Sequence, residues 1–123
     1  MTIGITNLEC ERGDTNFFDV DLDVAIASPS TDKVWFYAKR RRADDDTDAV
    51  IKKGLNVGVL VGIVVTDAPL GKVRVTLLPA DTENLADKSL LYDVQFKAAS
   101  DASVRTVARG LLMLSGQITE ATS

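Results

Sequence analysis

The side chains of this chain that could do chemistry are one thiol, several spaced aspartates and one arginine triplet, with no imidazole among them. Histidine is the side chain whose unperturbed pKa falls nearest neutrality, and it is the commonest general base and metal ligand. Its absence removes most hydrolase designs. Cys10 is a nucleophile by type, but a thiol gains reactivity from a neighbouring base or a helix-opening, glycine-rich setting, and neither surrounds it here. It reads as a buried structural thiol. An acid and base pair would require two carboxylates, such as Asp19 and Asp93, to meet in a cleft. Small sandwiches seldom enclose one, so no catalytic residue is assigned and no enzyme is expected.

Asp44, Asp46 and Asp48 stand at the first, third and fifth positions of a possible calcium loop. The sixth position, which demands glycine, is Ala49, and the twelfth, where a glutamate closes the cage, is Leu55. The aspartates at 19, 21 and 23 would lie about 6.6 Å apart along one strand face, too far for neighbours to share one ion. They read as a solubilising edge or a salt-bridge surface, and neither a metal nor a cofactor is expected. Arg12-Gly13-Asp14 spells a tripeptide found in some adhesion ligands, but between two strand-like segments it is a turn, with glycine for the bend and aspartate to cap it.

Arg40, Arg41 and Arg42 follow Trp35 and Tyr37 and superficially suggest a nucleic-acid platform. The formal charge of −4 and the aspartates directly after the triplet deny it the broad positive footprint that phosphate binding needs. Trp, Tyr and Arg dominate protein interfaces, so Trp35, Tyr37, Arg40, Arg41 and Arg42, with Phe17, are the candidate interface residues.

Strands must position these groups. Residues 17 to 26 alternate carboxylates with apolar groups, the period-two signature of a half-buried strand with Phe18, Val20, Leu22 and Val24 inward. After the turn cluster at 28 to 32, Val34 to Ala38 reads as the next strand and as its antiparallel partner, with Lys33, Trp35, Tyr37 and Lys39 outward and the lysines across from the aspartates. Residues 40 to 48 are a solvated hairpin tip. The β-branched run at 57 to 65, broken by Gly58 and Gly62, reads as one or two buried strands. Lys72 to Leu77 sends Val73, Val75 and Leu77 to the core, and Pro79 ends that strand. Residues 80 to 88 allow at most a single helical turn. Tyr92, Val94 and Phe96 share one face of a strand whose hairpin partner is 104 to 114, joined by the polar turn at 100 to 103.

Seven to nine short strands without a long amphipathic helix indicate an all-β fold, a two-sheet antiparallel immunoglobulin-like sandwich over residues 1 to 119, with 120 to 123 a short tail. The Cys…Trp…Cys pattern of antibody domains is absent. At 123 residues one core suffices. No apolar run reaches the length of a membrane span, and the N-terminus lacks the basic start and apolar stretch of a secretory signal. Synthesis in a cytoplasm, without a membrane partner, is the expectation.

The C-terminal third carries a family likeness. Leu77-Leu78-Pro79 leads into Asp81-Thr82, then Leu91-Tyr92-Asp93-Val94-Gln95-Phe96, then Val104-Arg105-Thr106-Val107-Ala108-Arg109-Gly110, and finally Ile118-Thr119. This order resembles a family of small β-sandwich modules in tailed-phage virions, such as the N-terminal domains of baseplate upper proteins and fibre-base or accessory domains, over residues 9 to 119. The resemblance implies a virion structural protein, a capsid-decorating or tail, baseplate or fibre-base adaptor, present in many copies and bound to other virion proteins. Exposed edges at residues 3 to 10 and 57 to 65 would serve strand addition. The rival expectation is a carbohydrate-binding or adhesion module with Trp35 as its platform.

Overall fold

Alternation with period two turns directly into strands. The computed structural model describes residues 4–5, 7–22, 25–28, 30–41, 49–83, 85–86, 88–100 and 103–116. In chain order the strands are β1 (Gly4–Ile5), β2 (Leu8–Glu11), β3 (Asn16–Asp21), β4 (Lys33–Lys39), β5 (Ile51–Leu55), β6 (Ile63–Asp67), β7 (Lys72–Leu77), β8 (Ser89–Lys97) and β9 (Arg105–Ser115), with a single helical turn α1 (Pro79–Thr82) between β7 and β8. One sheet has six strands in the order β1-β9-β8-β4-β5, with β2 continuing along the same edge of β9; the other has three in the order β3-β7-β6. The two sheets form an immunoglobulin-like β-sandwich. In that scheme β9-β8-β4-β5 are the strands G, F, C and C′, and β3-β7-β6 are B, E and D.

The core lies between the inward rows. Val73, Val75 and Leu77 of β7, Val34, Phe36 and Ala38 of β4, and Leu90, Tyr92, Val94 and Phe96 of β8 are all buried. Phe36 stacks on Tyr92 with ring centroids 5.5 Å apart, at the centre where antibody domains place their tryptophan. Burial raises the pKa of the Tyr92 phenol.

The sandwich departs from the sequence expectation in three places. First, β3 does not pair with β4. It pairs antiparallel with β7, setting Asp19 opposite Arg74 and Asp21 opposite Lys72, while β4 lies in the other sheet between β5 and β8. Both Lys33/Lys39 and Lys72/Arg74 offer cations at even spacing, so charge alone could not choose between them. The connection after Leu22 crosses between sheets instead of turning back. Second, residues 57 to 62 are not buried strand, and only Ile63 to Val65 of that run belong to a strand, β6, with Ile63 buried. Val59 is 95% and Val61 71% exposed, and regular pairing begins only at Ile63. Asn56 and Gly58 both hold positive φ, which turns the chain into a tight connection from one sheet to the other. It folds back so closely that a Cβ on Gly54 would lie 2.8 Å from that of Leu60. Third, pairing is not antiparallel throughout, because β1 and β2 both run parallel to β9. This makes the N-terminal segment an edge of the larger sheet, one of the two edges expected from the sequence.

One buried ion pair ties the two sheets where they part. Lys53 points inward from β5 and its Nζ lies 2.6 Å from Asp81 Oδ2 on α1. That same carboxylate oxygen accepts the N–H of Leu78 at 2.7 Å, closing the first turn of α1. At the opposite end the buried Asp32 accepts the N–H groups of Ser28 (3.2 Å) and Ala99 (2.8 Å), joining the β3–β4 connection to the β8–β9 turn.

Candidate functional site

The outward rows of the six-stranded sheet converge on one surface. Strand β4 contributes Trp35, Tyr37 and Lys39, each half-buried. Cross-strand register sets Trp35 beside Gln95, Tyr37 beside Asp93 and Lys39 beside Leu91 on β8. On the far side of β8, Leu91 faces Leu111, Asp93 faces Arg109 and Ser89 faces Met113 of β9. A bulge between Val94 and Gln95 shifts this register by one residue and increases the local twist. The result is an open depression of about 610 Å3 lined by Asn7, Lys39, Leu91, Asp93, Arg109 and Leu111, among others. Gly110 also lines it, on β9 opposite the inward-pointing Tyr92. Asn7 closes the β9 side, its Oδ1 accepting the N–H of Leu111 at 3.3 Å.

Leu111 is 37% and Met113 43% exposed, next to two cations and a carboxylate. Exposed apolar side chains beside charges and aromatics are a composition common in protein interfaces. Trp35 is on this sheet face but is not among the residues lining the depression. It stands opposite Gly54, in the direction from which the 56–61 connection folds back.

The predicted interface residues divide. Trp35 and Tyr37 share the outer face, as their period-two spacing indicated, and Arg40 and Arg41 are exposed immediately beyond β4. Arg42 and the candidate calcium ligands Asp44, Asp46 and Asp48 lie outside the described residues. Phe17 is separate from all of these. It is 56% exposed on the outer face of the small sheet, where the guanidinium of Arg74 lies 4.4 Å from its ring centroid. Arg74 also donates to Asp19 through Nε at 2.9 Å and Nη2 at 3.4 Å, and this hydrogen bonding holds the Asp19 carboxyl below its ordinary pKa.

Several candidate chemistries meet their geometry here. Asp19 and Asp93 stand on the outer faces of different sheets, so the sandwich separates them and they cannot act as a pair. Cys10 is 2% exposed and burial, the leading cause, pushes its thiol from 9.0 up to about 11, the direction that suppresses nucleophilicity. In Arg12-Gly13-Asp14 the arginine is engaged internally: its Nε donates to Leu85 O at 2.8 Å and its Nη1 to Gly116 O. The Gly13 N–H donates to the hydroxyl of the buried Thr82 at 3.0 Å, so the tripeptide is a structural turn.

Sequence reading missed Lys39, Leu91, Asp93, Arg109 and Leu111 as a group. Their signal was present in the alternation of β8 and β9, but β9 carries apolar side chains on both faces, so its outward row does not stand out as polar.

No family model matches this chain, and no curated protein matches it. Among solved structures, that of the NK cell receptor Nkp44, described as a triggering partner in natural cytotoxicity, matches with a TM-score of 0.54 and 15% sequence identity. The match covers 94% of this chain and 100% of that one. At this identity the likeness is one of fold, the immunoglobulin-like sandwich.

Proposed function

We propose that this chain is a non-enzymatic assembly module: a virion structural subunit of a tailed phage, decorating a capsid or joining tail, baseplate or fibre-base components by protein–protein contact. The observation that supports contact is the outer face of the six-stranded sheet, where Leu91, Leu111 and Met113 lie among Lys39, Asp93 and Arg109 with Tyr37 and Trp35 alongside. The virion setting rests on the motif order of the C-terminal third, from Asp81-Thr82 through the strand around Tyr92 to the strand that ends at Gly110. Many copies on a symmetric lattice act together, so a modest apolar centre on each copy is sufficient for stable attachment.

The experiment is sedimentation of the purified chain with phage heads and, separately, with tails of the phage whose genome encodes it. Attachment to heads at stoichiometric copy number assigns decoration, and attachment to tails assigns an adaptor role. Leu111→Asp, which places a charge in the contact centre without touching the core, is expected to reduce attachment at least tenfold. A chain that binds neither particle, and whose Trp35 fluorescence responds to glycans, would replace this reading with a carbohydrate-binding module.

A further inference from the structure

The small sheet has an open side that is independent of the surface described above. In the immunoglobulin scheme its B strand is flanked by strand A. Here the N-terminal segment pairs with β9 in the other sheet, and among the described residues nothing pairs with the outer edge of β3.

Three observations describe what that edge lacks. The Leu22 N–H donates to Gly71 O at 2.8 Å, and antiparallel ladders alternate, so the even-numbered residues of β3 bond to β7. The backbone N–H and C=O groups of Phe17 and Asp19 therefore point away from β7, towards the open side. The core is also incompletely covered there. Phe18 and Val20 point inward but are only half-buried, whereas their neighbours Val73 and Val75 on β7 are 0% exposed. Finally, the outward row is Phe17, Asp19 and Asp21, with its compensating cations Arg74 and Lys72 one strand further back.

We propose that the free edge of β3 accepts an extended segment of a different protein, one that alternates apolar residues with lysine or arginine. A strand added there lies about 4.8 Å from the β3 backbone that carries the carboxylates; the Arg74 guanidinium already engages Asp19 and lies over Phe17, so cations of the added strand would share these carboxylates with β7. Its backbone completes the ladder through Phe17 and Asp19, its apolar side chains cover Phe18 and Val20, and its cations face Asp19 and Asp21. A second copy is rejected at this edge. Symmetric antiparallel pairing about Asp19 would set that carboxylate against itself, and like charges directly opposite destabilise a ladder. Strand β7 shows which sequence suits β3, since Lys-Val-Arg-Val-Thr-Leu already satisfies its other side.

The test uses the intact chain and a labelled synthetic peptide, Gly-Lys-Val-Arg-Val-Thr-Leu-Leu, read by fluorescence anisotropy. Saturable binding is expected, weakened as salt rises, and at least tenfold weaker for Gly-Glu-Val-Glu-Val-Thr-Leu-Leu. Asp19→Pro removes an N–H from the free edge and none from the β7 ladder, so it is expected to abolish binding, while Asp19→Asn, which keeps that N–H and loses the charge, is expected to weaken binding less and to reduce its salt dependence. If Asp19→Pro fails to fold, the acidic peptide still decides. No binding at millimolar peptide, or equal binding of both peptides, would overturn the proposal. Leu111→Asp lies on the other sheet and should leave peptide binding unchanged, so this edge and the virion-facing surface fail or succeed separately.

Discussion

Cys10, Lys53 and Asp81 show how burial decides what a reactive side chain does. With its pKa raised from 9.0 to about 11, the Cys10 thiol stays protonated in the folded chain at pH values where the unfolded chain has lost that proton. Native protein at pH 8 should therefore react with a thiol reagent far more slowly than denatured protein. The linkage sign follows: the folded state binds more protons between about pH 9 and 11, so stability falls as pH rises through that window. Urea unfolding at pH 8.5 and 10.5 should show the decline, and Cys10→Ala should reduce it, with the raised Tyr92 phenol accounting for part of what remains. The Lys53–Asp81 pair behaves asymmetrically. Asp81→Ala leaves an ammonium that is 8% exposed without its counter-ion and should cost about 3 kcal/mol, whereas Lys53→Met leaves a carboxylate that is 25% exposed and still accepts the Leu78 N–H. Chemical denaturation should rank Asp81→Ala well below Lys53→Met, with the double variant close to the latter. None of this pairing was legible in sequence, because Lys53 sits among Ile51, Gly54 and Leu55 with nothing to mark it as inward.

Strands announce themselves by period, and their neighbours are chosen by connections. The inward row of β7 and most of that of β8 were legible because polar and apolar positions alternate, and so was the β8–β9 hairpin, whereas in β4 only the flanking Lys33 and Lys39 set the phase of an otherwise apolar and aromatic run. The partner of β3 was not, since two strands offered equivalent cations and only the crossing after Leu22 distinguishes them. The first part of the 57–65 run failed for a different reason: β-branched composition signals burial, but Asn56 and Gly58 at positive φ and Gly62 at φ 99° make 57–62 a connection with Val59 in solvent. At Gly62 an added Cβ would also lie 2.6 Å from Lys53 Cδ. Gly62→Ala therefore carries both a strained backbone and a clash with the buried lysine stem, and should cost about 2–3 kcal/mol. Val59→Lys, at a fully solvated position a few residues away, should change stability by less than about 0.5 kcal/mol. Thermal unfolding of the two variants checks both statements.

As a whole molecule the sandwich presents two outer faces of different character. The larger has an apolar centre with a mixed rim, and the smaller has a row of carboxylates backed by cations and, beside it, an edge that no strand among the described residues pairs with. The fold class was legible from alternation, but the outward placement of Trp35 and Tyr37 hung on the register set by Lys33 and Lys39, since a one-residue slip in Val34–Ala38 would exchange the two faces. The depression between β4, β8 and β9 was not, because it depends on a one-residue bulge and on which strands become neighbours. Co-sedimentation of the purified chain with phage heads and tails, wild type against Leu111→Asp, tests the central claim most directly. The account predicts stoichiometric attachment to one of the two particles and at least a tenfold loss in the variant, with its unfolding midpoint unchanged. Attachment to neither particle, or attachment that Leu111→Asp leaves intact, would contradict it.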